Sequence, residues 1–442
     1  MALSQPSPEA HREPAARDPA FHGWRMVAAA SGLQFLTSGL VSHAFGAYLV
    51  VLRDSEGWSK TALSGVAAMQ QLEAALLGPL QGWFVDRYGP RGMVRAGITL
   101  FGVGLILLGT AGSLAAFYAI YVLIAIGMSL AGFFSLSVAV VNWFDRYRSR
   151  ALSVVMMGMV AGGFAVPGIA WALQTFGWRH TAMASGLLAL VVGLPLAGML
   201  RRRPEDLGQH PDGLAPRTEG SVSGDATSAP SPRPAAPAAA EGATVHEALH
   251  SRAFWLLALG HASALLVVST FNVHAISHVK EGLGYGLTQA ASLLSVQTVA
   301  YAVGVVASGM VGDRWNKCWI SAGCLLLHAA GLLALAHAAS WGLVMAAAAS
   351  HGFAWGLRGP LMSALRADHF GRQAIGAILG LSMLIALLGQ VGGPMIAGLL
   401  ADATGNYRLG FTILAALAGL GSCFFLLVPR QPSTAALRLA PR

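Results

Sequence analysis

Charged side chains are the scarcest feature of this sequence. Asp, Glu, Lys and Arg together make up 11% of its 442 residues, whereas 55% are hydrophobic. From Ile98 to Trp143 the chain carries no charge at all, and this length is enough for two membrane crossings of about 20 residues each. Such a composition excludes an ordinary water-soluble globular protein, and we predict a lipid bilayer as the environment of the chain.

Cysteine is also rare, and its pattern excludes two kinds of site. The three cysteines are Cys318, Cys324 and Cys423, and they lack the paired spacing of a metal centre or a disulfide framework. We therefore expect neither a metal ion nor a cofactor. No G-x-x-x-x-G-K-[ST] phosphate-binding loop follows a strand, which argues against work driven by ATP. No nucleophile and base are recognisable, so an enzyme is not expected.

What the sequence has instead is a series of long apolar runs rich in glycine. Its 54 glycines would weaken helices in water but allow membrane helices to pack closely, which favours a helical bundle over a β-barrel. Hydropathy predicts twelve membrane spans, numbered 1 to 12 in chain order: residues 25–50, 61–84, 94–112, 116–141, 151–173, 181–200, 253–278, 288–311, 318–338, 341–365, 374–400 and 409–428.

Positive charges are distributed unevenly between the two sides of these spans. The net charge is +9 and the pI is about 9.9. Of the 28 Lys and Arg, the loops on one side contain only Arg53, Lys60, Arg179, Lys280 and Arg408. The positive-inside rule then predicts that both termini are cytoplasmic, in a multi-pass protein of the cytoplasmic (inner) membrane. The basic charge reflects this topology, and we expect no nucleic-acid partner.

A polar segment divides the spans six to six. Residues 201–251 begin RRRPEDLGQHPDG and continue with Pro, Ala, Ser and Gly, so they have too few large apolar residues to fold alone. We interpret them as a cytoplasmic linker between an N-terminal half, residues 23–200, and a C-terminal half, residues 252–428. Residues 1–22 lack the apolar core of a signal peptide, and we predict a disordered cytoplasmic tail there and a second tail at residues 429–442.

The two halves repeat one another. GWFVDRYGPR at Gly82–Arg91 follows the second span of the first half, and GMVGDRWNK at Gly309–Lys317 follows the second span of the other, 227 residues later. A G-x-x-x-G step also opens the fifth span of each half: Gly158 with Gly162, and Gly376 with Gly380. Such steps allow either sliding between the halves or static packing within one half. We predict a parallel duplication, with two six-helix bundles related by an axis along the membrane normal.

With these motifs the sequence resembles the major facilitator superfamily over residues 22–428. The shared features are the six plus six spans, the charged turn after span 2, its altered copy after span 8 and the long linker. Four motifs are similar to the monocarboxylate-transporter and oxalate/formate-antiporter branch: HGWRMV, NWFDRYRSRALSVVMMG, RRRPEDLGQHPDG and RADHFGRQAIGAILG. The resemblance implies the all-helical major facilitator fold with twelve spans, and secondary transport by alternating access.

The resemblance also implies a gate at the two charged turns. The turn at Asp86 is expected to lie against the start of span 11 and to latch the halves in the outward-facing state, and the turn from Asp313 to Lys317 would do the same against span 5. The predicted gate residues are Asp86, Arg87, Arg91, Asp145, Asp313 and Arg314. Arg87 and Arg91 can bridge to acids such as Asp145. They can also serve only to fix the topology, and both interpretations can hold.

Ionisable side chains inside the spans are candidates for chemistry, because a charge within the bilayer costs at least about 2.5–3.5 kcal/mol unless it is partnered. Arg358 in span 10 is the predicted partner of a substrate anion, since its planar guanidinium matches a carboxylate and stays charged. His351 and Trp355 are expected to form one polar and aromatic stripe with it, and Pro360 predicts a broken or kinked helix. Alternatively, Arg358 pairs with Glu73 or reaches the cytoplasmic surface.

Glu73, near the middle of span 2, is a candidate for proton coupling, because a buried carboxyl can carry a proton. It can equally form a structural hydrogen bond. His274 and His43, in the outer halves of spans 7 and 1, can bind substrate or relay protons near pH 6 to 7, or serve as packing residues. His278 lies four residues from His274, but no third ligand supports a metal site. The remaining substrate-binding candidates are Trp355, Gln297, Tyr301 and Asn272.

One departure from the family pattern limits the functional prediction. Span 8 carries no charge before Asp313 and span 11 none after Arg372, so the anion site that the resemblance implies on these spans is not carried over. Either Arg358 replaces it or the substrate is not a simple monocarboxylate. We predict a monomeric secondary transporter of a small organic anion, by symport with protons or by exchange for a counter-anion. The alternatives are proton-driven efflux of an amphiphilic compound and a membrane sensor that transports nothing.

Overall fold

The structure is a computed structural model that describes residues 21–58, 69, 73, 77, 78, 80–213 and 242–429. Over these residues the backbone is almost entirely helical, and apart from one isolated antiparallel bridge, between Gly242 and Gly371, they form no strand. Peptide groups find no water inside a bilayer, so helices that satisfy their hydrogen bonds within one segment are the expected solution.

The N-terminal half contains several local breaks in its helices. Span 1 continues through a π-helical turn, and the last turns of span 5 join span 6 across Gly177, whose φ of 75° suits glycine alone. The helices are Gly23–Thr37, Ser38–Ser42 and Phe45–Glu56 in span 1, Pro90–Leu108 in span 3, Leu114–Ala131 and Phe133–Trp143 in span 4, Arg148–Ala161 and Gly162–Ala165 in span 5, and Val166–Met199 at the end of span 5 and in span 6. Much of span 2 before residue 80 lies outside the described residues.

The C-terminal half has longer and more regular helices. They are Val245–His250 at the end of the linker, Arg252–Ser277 and His278–Gly282 in span 7, Leu287–Val311 in span 8, Lys317–Ala336 in span 9, Trp341–Phe370 in span 10, Ile375–Thr404 in span 11 and Arg408–Leu426 in span 12. Span 10 is a single helix with Pro360 inside it, so the helix is not broken there. It also extends past its predicted end at residue 365, which brings Arg366 into the helix.

Eight of the described helical segments are long and apolar enough to cross a membrane. They account for spans 3 to 9, 11 and 12, because the segment Arg148–Met199 contains two spans. The chain is therefore an all-helical membrane protein, as the hydropathy predicted.

Both described ends of the linker lie on the same face of the bundle as the start of span 1. The backbone N–H of His22 donates to Gln209 at 3.0 Å, and its ring nitrogen Nε2 lies 2.8 Å from the carbonyl oxygen of Met199. At the other end of the linker, Gly242 forms its bridge with Gly371, at the end of span 10. We call this side of the molecule the linker face. That the linker face is cytoplasmic stays a prediction.

Glycines bring span 10 into backbone contact with span 8. A Cβ atom at Gly352 or Gly356 would overlap the backbone oxygen of Gln297 or Tyr301, respectively. The two predicted G-x-x-x-G steps differ in their partners. Gly158 and Gly162 pack against span 1 of their own half, whereas Gly376 packs against Gly82 and Asp86 of the opposite half. Static packing therefore accounts for the first step, and contact between the halves for Gly376.

Gly356→Ala is expected to lower the stability of the protein by about 1–3 kcal/mol, because the added methyl group overpacks two helices whose backbones already touch. Thermal unfolding of the purified protein in detergent measures this. Gly323→Ala is the matched control, since no atom lies within 4 Å of a Cβ there, and we expect no loss or a gain of up to about 1 kcal/mol. Equal melting temperatures for the two variants would contradict this account of the contact.

Candidate functional site

A cavity of about 350 Å³ lies between the two halves. Spans 2 and 4 form one wall and spans 7, 10 and 11 the other, so any movement of one half against the other changes its shape. Most of the lining is apolar. The polar side chains that line it are Gln81, Ser129, Ser137, Ser363 and Gln390.

The carboxyl group of Glu73 lies next to this cavity. It shares a hydrogen bond with the hydroxyl group of Ser129, which also accepts one from the amide group of Gln81. The Oε1 atom of Glu73 is buried without a hydrogen-bond partner. An acid thus stands beside the wall of the cavity, with one oxygen that no described residue satisfies.

Arg358 is one of the most buried side chains, with 1% of its surface exposed. Its Nε and Nη1 atoms have no hydrogen-bond partner, and among the described residues no carboxylate forms an ion pair with it. It therefore neither reaches the surface nor pairs with Glu73. The predicted anion partner is a buried cation with free N–H groups, although it is not among the residues that line the cavity.

Arg358 belongs to a group of basic side chains inside the C-terminal half. We call this group the Arg–His cluster, and its members are His261 on span 7, His328 on span 9, and His351, Arg358 and Arg366 on span 10. Within it, Arg366 donates to Ser382 at 2.8 Å and to the carbonyl oxygen of Met362 at 2.8 Å, and its Nη2 atom lies 3.1 Å from Nδ1 of His261.

Sequence reasoning missed Arg366, His261 and His328 as functional candidates. Arg366 was placed just beyond the membrane because hydropathy ended span 10 at residue 365. The helix in fact runs to Phe370, and Arg366 is only 1% exposed. The available signal was its spacing from Arg358, since residues eight apart lie near one another on a helical face.

The structure brings two other pairs of predicted residues together. The amide of Gln297 donates to Asn272 at 2.8 Å, joining spans 8 and 7. The rings of Tyr301 and Trp355 lie 4.9 Å apart, joining spans 8 and 10, and the Tyr301 hydroxyl is buried without a partner. The substrate-binding role of these four residues stays a prediction.

The two predicted histidines bond to backbone within their own halves. Nε2 of His43 lies 3.0 Å from the carbonyl oxygen of Met159 on span 5, and Nε2 of His274 lies 3.0 Å from that of Pro394 on span 11. The His274 ring also packs 5.0 Å from Tyr407. Neither side chain is among those that line the cavity, and their roles in substrate or proton binding stay predictions.

The turn after span 2 caps a helix of the opposite half. Asp86 accepts hydrogen bonds from the backbone N–H groups of Gly376 at 3.0 Å and Ala377 at 2.8 Å, at the start of span 11. The residue in the N-cap position of that helix, Ala374, supplies no side-chain bond. Burial raises the pKa of the Asp86 carboxyl, and these two N–H groups act against the rise. Burial thus favours the protonated acid, whereas the two hydrogen bonds favour the ionised carboxylate.

The altered copy of the turn makes the equivalent contact. Asp313 accepts hydrogen bonds from the N–H groups of Ser149 at 2.7 Å and Arg150 at 3.1 Å, at the start of span 5, where Tyr147 in the N-cap position gives no side-chain bond. Both donors lie 227 residues before those of the first contact, the same offset that separates the two aspartates. We call these two contacts the paired caps.

Ion pairs at the linker face reinforce the paired caps. Arg148 of span 5 is bonded to Asp145 at 2.7 Å and also to Asp368 at the end of span 10, which binds Lys317 at 2.7 Å. Among the other predicted gate residues, Arg87 lies over the rings of Trp83 and Tyr88, Arg91 lies near Arg95 and Arg201, and Arg314 borders a groove between spans 5 and 8. That these residues gate transport stays a prediction.

The described residues of the linker form hydrogen bonds and an ion pair with residues at the linker face. Asp212 accepts hydrogen bonds from the N–H groups of residues 145–147 at 3.2, 2.7 and 3.2 Å. Glu205 pairs with Arg372 at 3.4 Å, and Arg372 also donates to the carbonyl oxygen of Asn142 at 2.8 Å. All direct hydrogen bonds recorded between the halves, within the described parts of the chain, lie at the linker face.

The arrangement of two similar halves around a cavity agrees with the comparison to protein families. A model described as Major Facilitator Superfamily matches residues 29–286 and again residues 257–441. The chain belongs to the major facilitator superfamily. It is therefore a transporter rather than an enzyme.

Relatives of this superfamily member are found in the branch that the sequence motifs indicated. The chain is 27% identical to monocarboxylate transporter 13 of Bos taurus, with 92% of this chain and 89% of the relative covered. It is 28% identical to monocarboxylate transporter 11 of Mus musculus, with 92% and 88% covered. Among solved structures, the fucose:proton symporter FucP of E. coli has the same fold, with a TM-score of 0.69 at 14% identity, covering 92% of this chain and 98% of that one.

Proposed function

We propose that this superfamily member is a secondary active transporter of a small organic anion, monocarboxylate-like, in the cytoplasmic membrane. The observation that carries the proposal is the burial of Arg358 with two nitrogen atoms unpartnered and no carboxylate bonded to it among the described residues. A buried charge without a partner is costly, and a carboxylate that binds it removes that cost. The two relatives that are monocarboxylate transporters support the same class of substrate.

The cavity supplies the entry route in this proposal. Its polar side chains can donate hydrogen bonds to a small carboxylate, and Ser363 on its wall lies on the same helix as Arg358. The two residues are five apart, which is about 7.5 Å along a helix. Arg358 does not line the cavity in this state, so the anion reaches it only when spans 7, 10 and 11 shift.

The paired caps define the state from which transport starts. They hold the halves together at the linker face, which is the cytoplasmic side in the predicted topology, with both termini in the cytoplasm. Opening toward the cytoplasm requires both aspartates to leave the helix starts of the opposite half. A rocking movement of this kind needs only a few kcal/mol between its two states.

The energy for uphill transport comes from protons or from exchange with a second anion. Two groups of the structure can take up a proton: Glu73 beside the cavity, and the histidines of the Arg–His cluster. We include Glu73 as a candidate for proton coupling, as the sequence predicted. Its carboxyl group has one oxygen without a hydrogen-bond partner, next to the cavity through which the substrate enters.

The alternative function is efflux of an amphiphilic compound. It is favoured by the largely apolar lining of the cavity, which includes Phe133, Phe134, Leu379 and Met383. An amphiphile would need no cation, so Arg358 would have no part in its recognition.

Liposomes containing the purified protein test the proposal. We expect labelled lactate or pyruvate to enter faster with an inward proton gradient than without one, or to exchange for unlabelled carboxylate trapped inside. Protein-free liposomes, and a protonophore in the gradient experiment, are the controls. Equal uptake by protein-free and protein-containing liposomes in both formats, together with gradient-driven movement of a lipophilic dye, would favour the efflux function instead.

A further inference from the structure

Two histidines of the Arg–His cluster form a direct hydrogen bond inside the C-terminal half. Nδ1 of His328 on span 9 lies 3.1 Å from Nδ1 of His351 on span 10, and both side chains are fully buried. The His351 ring stacks on Phe271 of span 7, with centroids 4.1 Å apart and planes 7° from parallel. Both Nε2 atoms lack a partner. The pair is thus fixed in geometry but has two ring nitrogen atoms unsatisfied.

Proton counting defines what this pair can bind. A hydrogen bond between two Nδ1 atoms needs one donor and one acceptor, so in the neutral pair one ring carries its proton on Nδ1 and the other on Nε2. The ring with Nδ1–H therefore has a free lone pair on its Nε2 atom. One added proton fits there and leaves the Nδ1 to Nδ1 bond intact, now as a charge-assisted bond. A second added proton would protonate both Nδ1 atoms and break the bond.

The surroundings of the pair link this proton to an anion. The charged side chain that acts on both rings is Arg358 of span 10. His261 of span 7, Cys324 of span 9 and Arg366 of span 10 interact in turn with Arg358. Both arginines are fully buried, and no carboxylate is hydrogen-bonded to either within the described residues. The positive charge of Arg358 opposes a further proton on the pair, and an anion bound to Arg358 would offset that opposition.

We infer that the His328–His351 pair is the proton-binding site of this transporter, and that it takes up one proton when a carboxylate binds Arg358. This inference rests on the proposed function and assigns its coupling ion. The proton from water binds Nε2 of one histidine, and the incoming carboxylate balances the added charge, so no net charge is added to the interior. Without the anion the pair stays neutral, which prevents a proton from crossing alone.

Glu73 has no comparable connection to an anion bound at Arg358. Its carboxyl is bonded to Ser129 in the N-terminal half, and no ion pair joins it to Arg358. Arg358 and His351 are seven residues apart, two turns along the same helix face, so substrate and proton meet on one rigid element.

The pH dependence of carboxylate affinity tests the inference. Lactate, pyruvate and oxalate are added to the purified full-length protein between pH 6 and 8, where their carboxyl groups stay ionised, and binding is followed by thermal shift and tryptophan fluorescence. If one proton binds with each anion, the dissociation constant of the wild type for the carboxylate increases about tenfold for each unit by which the pH is raised. His328→Asn/His351→Asn is expected to remove that slope, because an amide can keep the hydrogen bond but cannot take the proton.

The matched control is His278→Gln. His278 is a buried histidine of the same half that bonds to the carbonyl oxygen of Leu335 at 3.0 Å, outside the Arg–His cluster, and we expect the wild-type slope for it. Single variants at His328 and His351 serve if the double variant does not fold, and each is expected to weaken the slope. A pH-indicator dye in weak buffer gives a second readout, with about one proton taken up per bound anion by the wild type.

Three results would overturn the inference. The first is the same slope in the wild type and the double histidine variant. The second is a wild type that binds carboxylate with no pH dependence, and the third is loss of the slope in Glu73→Gln but not in the histidine variants. In each of these cases the proposed carboxylate transport stands. If none of the three carboxylates binds the wild type at any pH, the proposed function fails and the inference fails with it.

Discussion

Arg358→Gln is expected to reduce carboxylate transport about 100-fold and to leave the folded protein as stable as the wild type or more stable. Loss of a buried, charge-assisted pair with a substrate carboxylate costs about 3 kcal/mol, which corresponds to about 100-fold. The stability expectation has a separate cause. Two of the guanidinium nitrogen atoms have no hydrogen-bond partner. A neutral side chain therefore removes a buried charge without breaking a hydrogen bond at either atom. Uptake into liposomes and thermal unfolding measure the two effects.

Arg366→Gln is the matched control for this prediction. Arg366 lies on the same helix and is equally buried, but its guanidinium is bonded to Ser382, Met362 and His261. Its replacement is expected to lower stability by about 3 kcal/mol or more, because it breaks a buried hydrogen-bond network. If Arg358→Gln keeps wild-type uptake, the anion role of Arg358 is wrong. If Arg358→Gln is instead less stable than Arg366→Gln, Arg358 forms stabilising bonds in another conformation of the transporter.

The second large effect is expected from removing the paired caps. In Asp86→Ala/Asp313→Ala, each half loses the carboxylate that accepts two N–H groups at a helix start of the other half. Loss of one cap typically costs about 1 kcal/mol, so loss of both costs about 2 kcal/mol. The population should then move about 30-fold away from the state closed at the linker face.

Spin-label distances measure this shift. Labels on a cysteine-free background at Arg146 and Trp315, exposed positions of opposite halves at the linker face, report the separation of the halves. We expect a longer mean distance in the double alanine variant and a partial change in Asp86→Asn, which keeps one acceptor oxygen. Asp206→Ala is the control, because Asp206 caps only a turn within the linker. An unchanged distance distribution in the double variant would mean that the ion pairs of Arg148 and Asp368 hold the linker face closed without the caps.

Much of the architecture could be predicted from the sequence, since its causes are local. A run of about 20 apolar residues must cross the bilayer as a helix, and the positions of such runs follow from hydropathy alone. The duplication was also visible, because the charged turn GWFVDRYGPR is repeated as GMVGDRWNK 227 residues later. The charged turn of span 2 was expected against span 11 by resemblance, and the structure places it there.

The internal arrangement of the candidate site was less predictable. His351, Trp355 and Arg358 were expected to form one stripe along span 10. In the structure His351 bonds to His328 inside the C-terminal half, whereas Trp355 contacts Tyr301 of span 8. Helical spacing gives the angle between side chains on one helix, but the packing of the neighbouring spans decides which side of the helix faces the cavity. The end of span 10 was misplaced because hydropathy does not register a buried arginine as part of a membrane helix.

The sequence by itself determined that the chain is a duplicated bundle of membrane helices with an equivalent charged turn in each half. It also determined that Arg358 is a charged side chain within a membrane span. Only the tertiary structure decided that each turn caps a helix of the other half, and that Arg358 lies with Arg366 and three histidines rather than with Glu73. The reason is physical. Hydrophobic length and charge are properties of a segment, whereas the partner of a buried polar group is fixed by which helices pack together, and that depends on contacts between residues far apart in the chain.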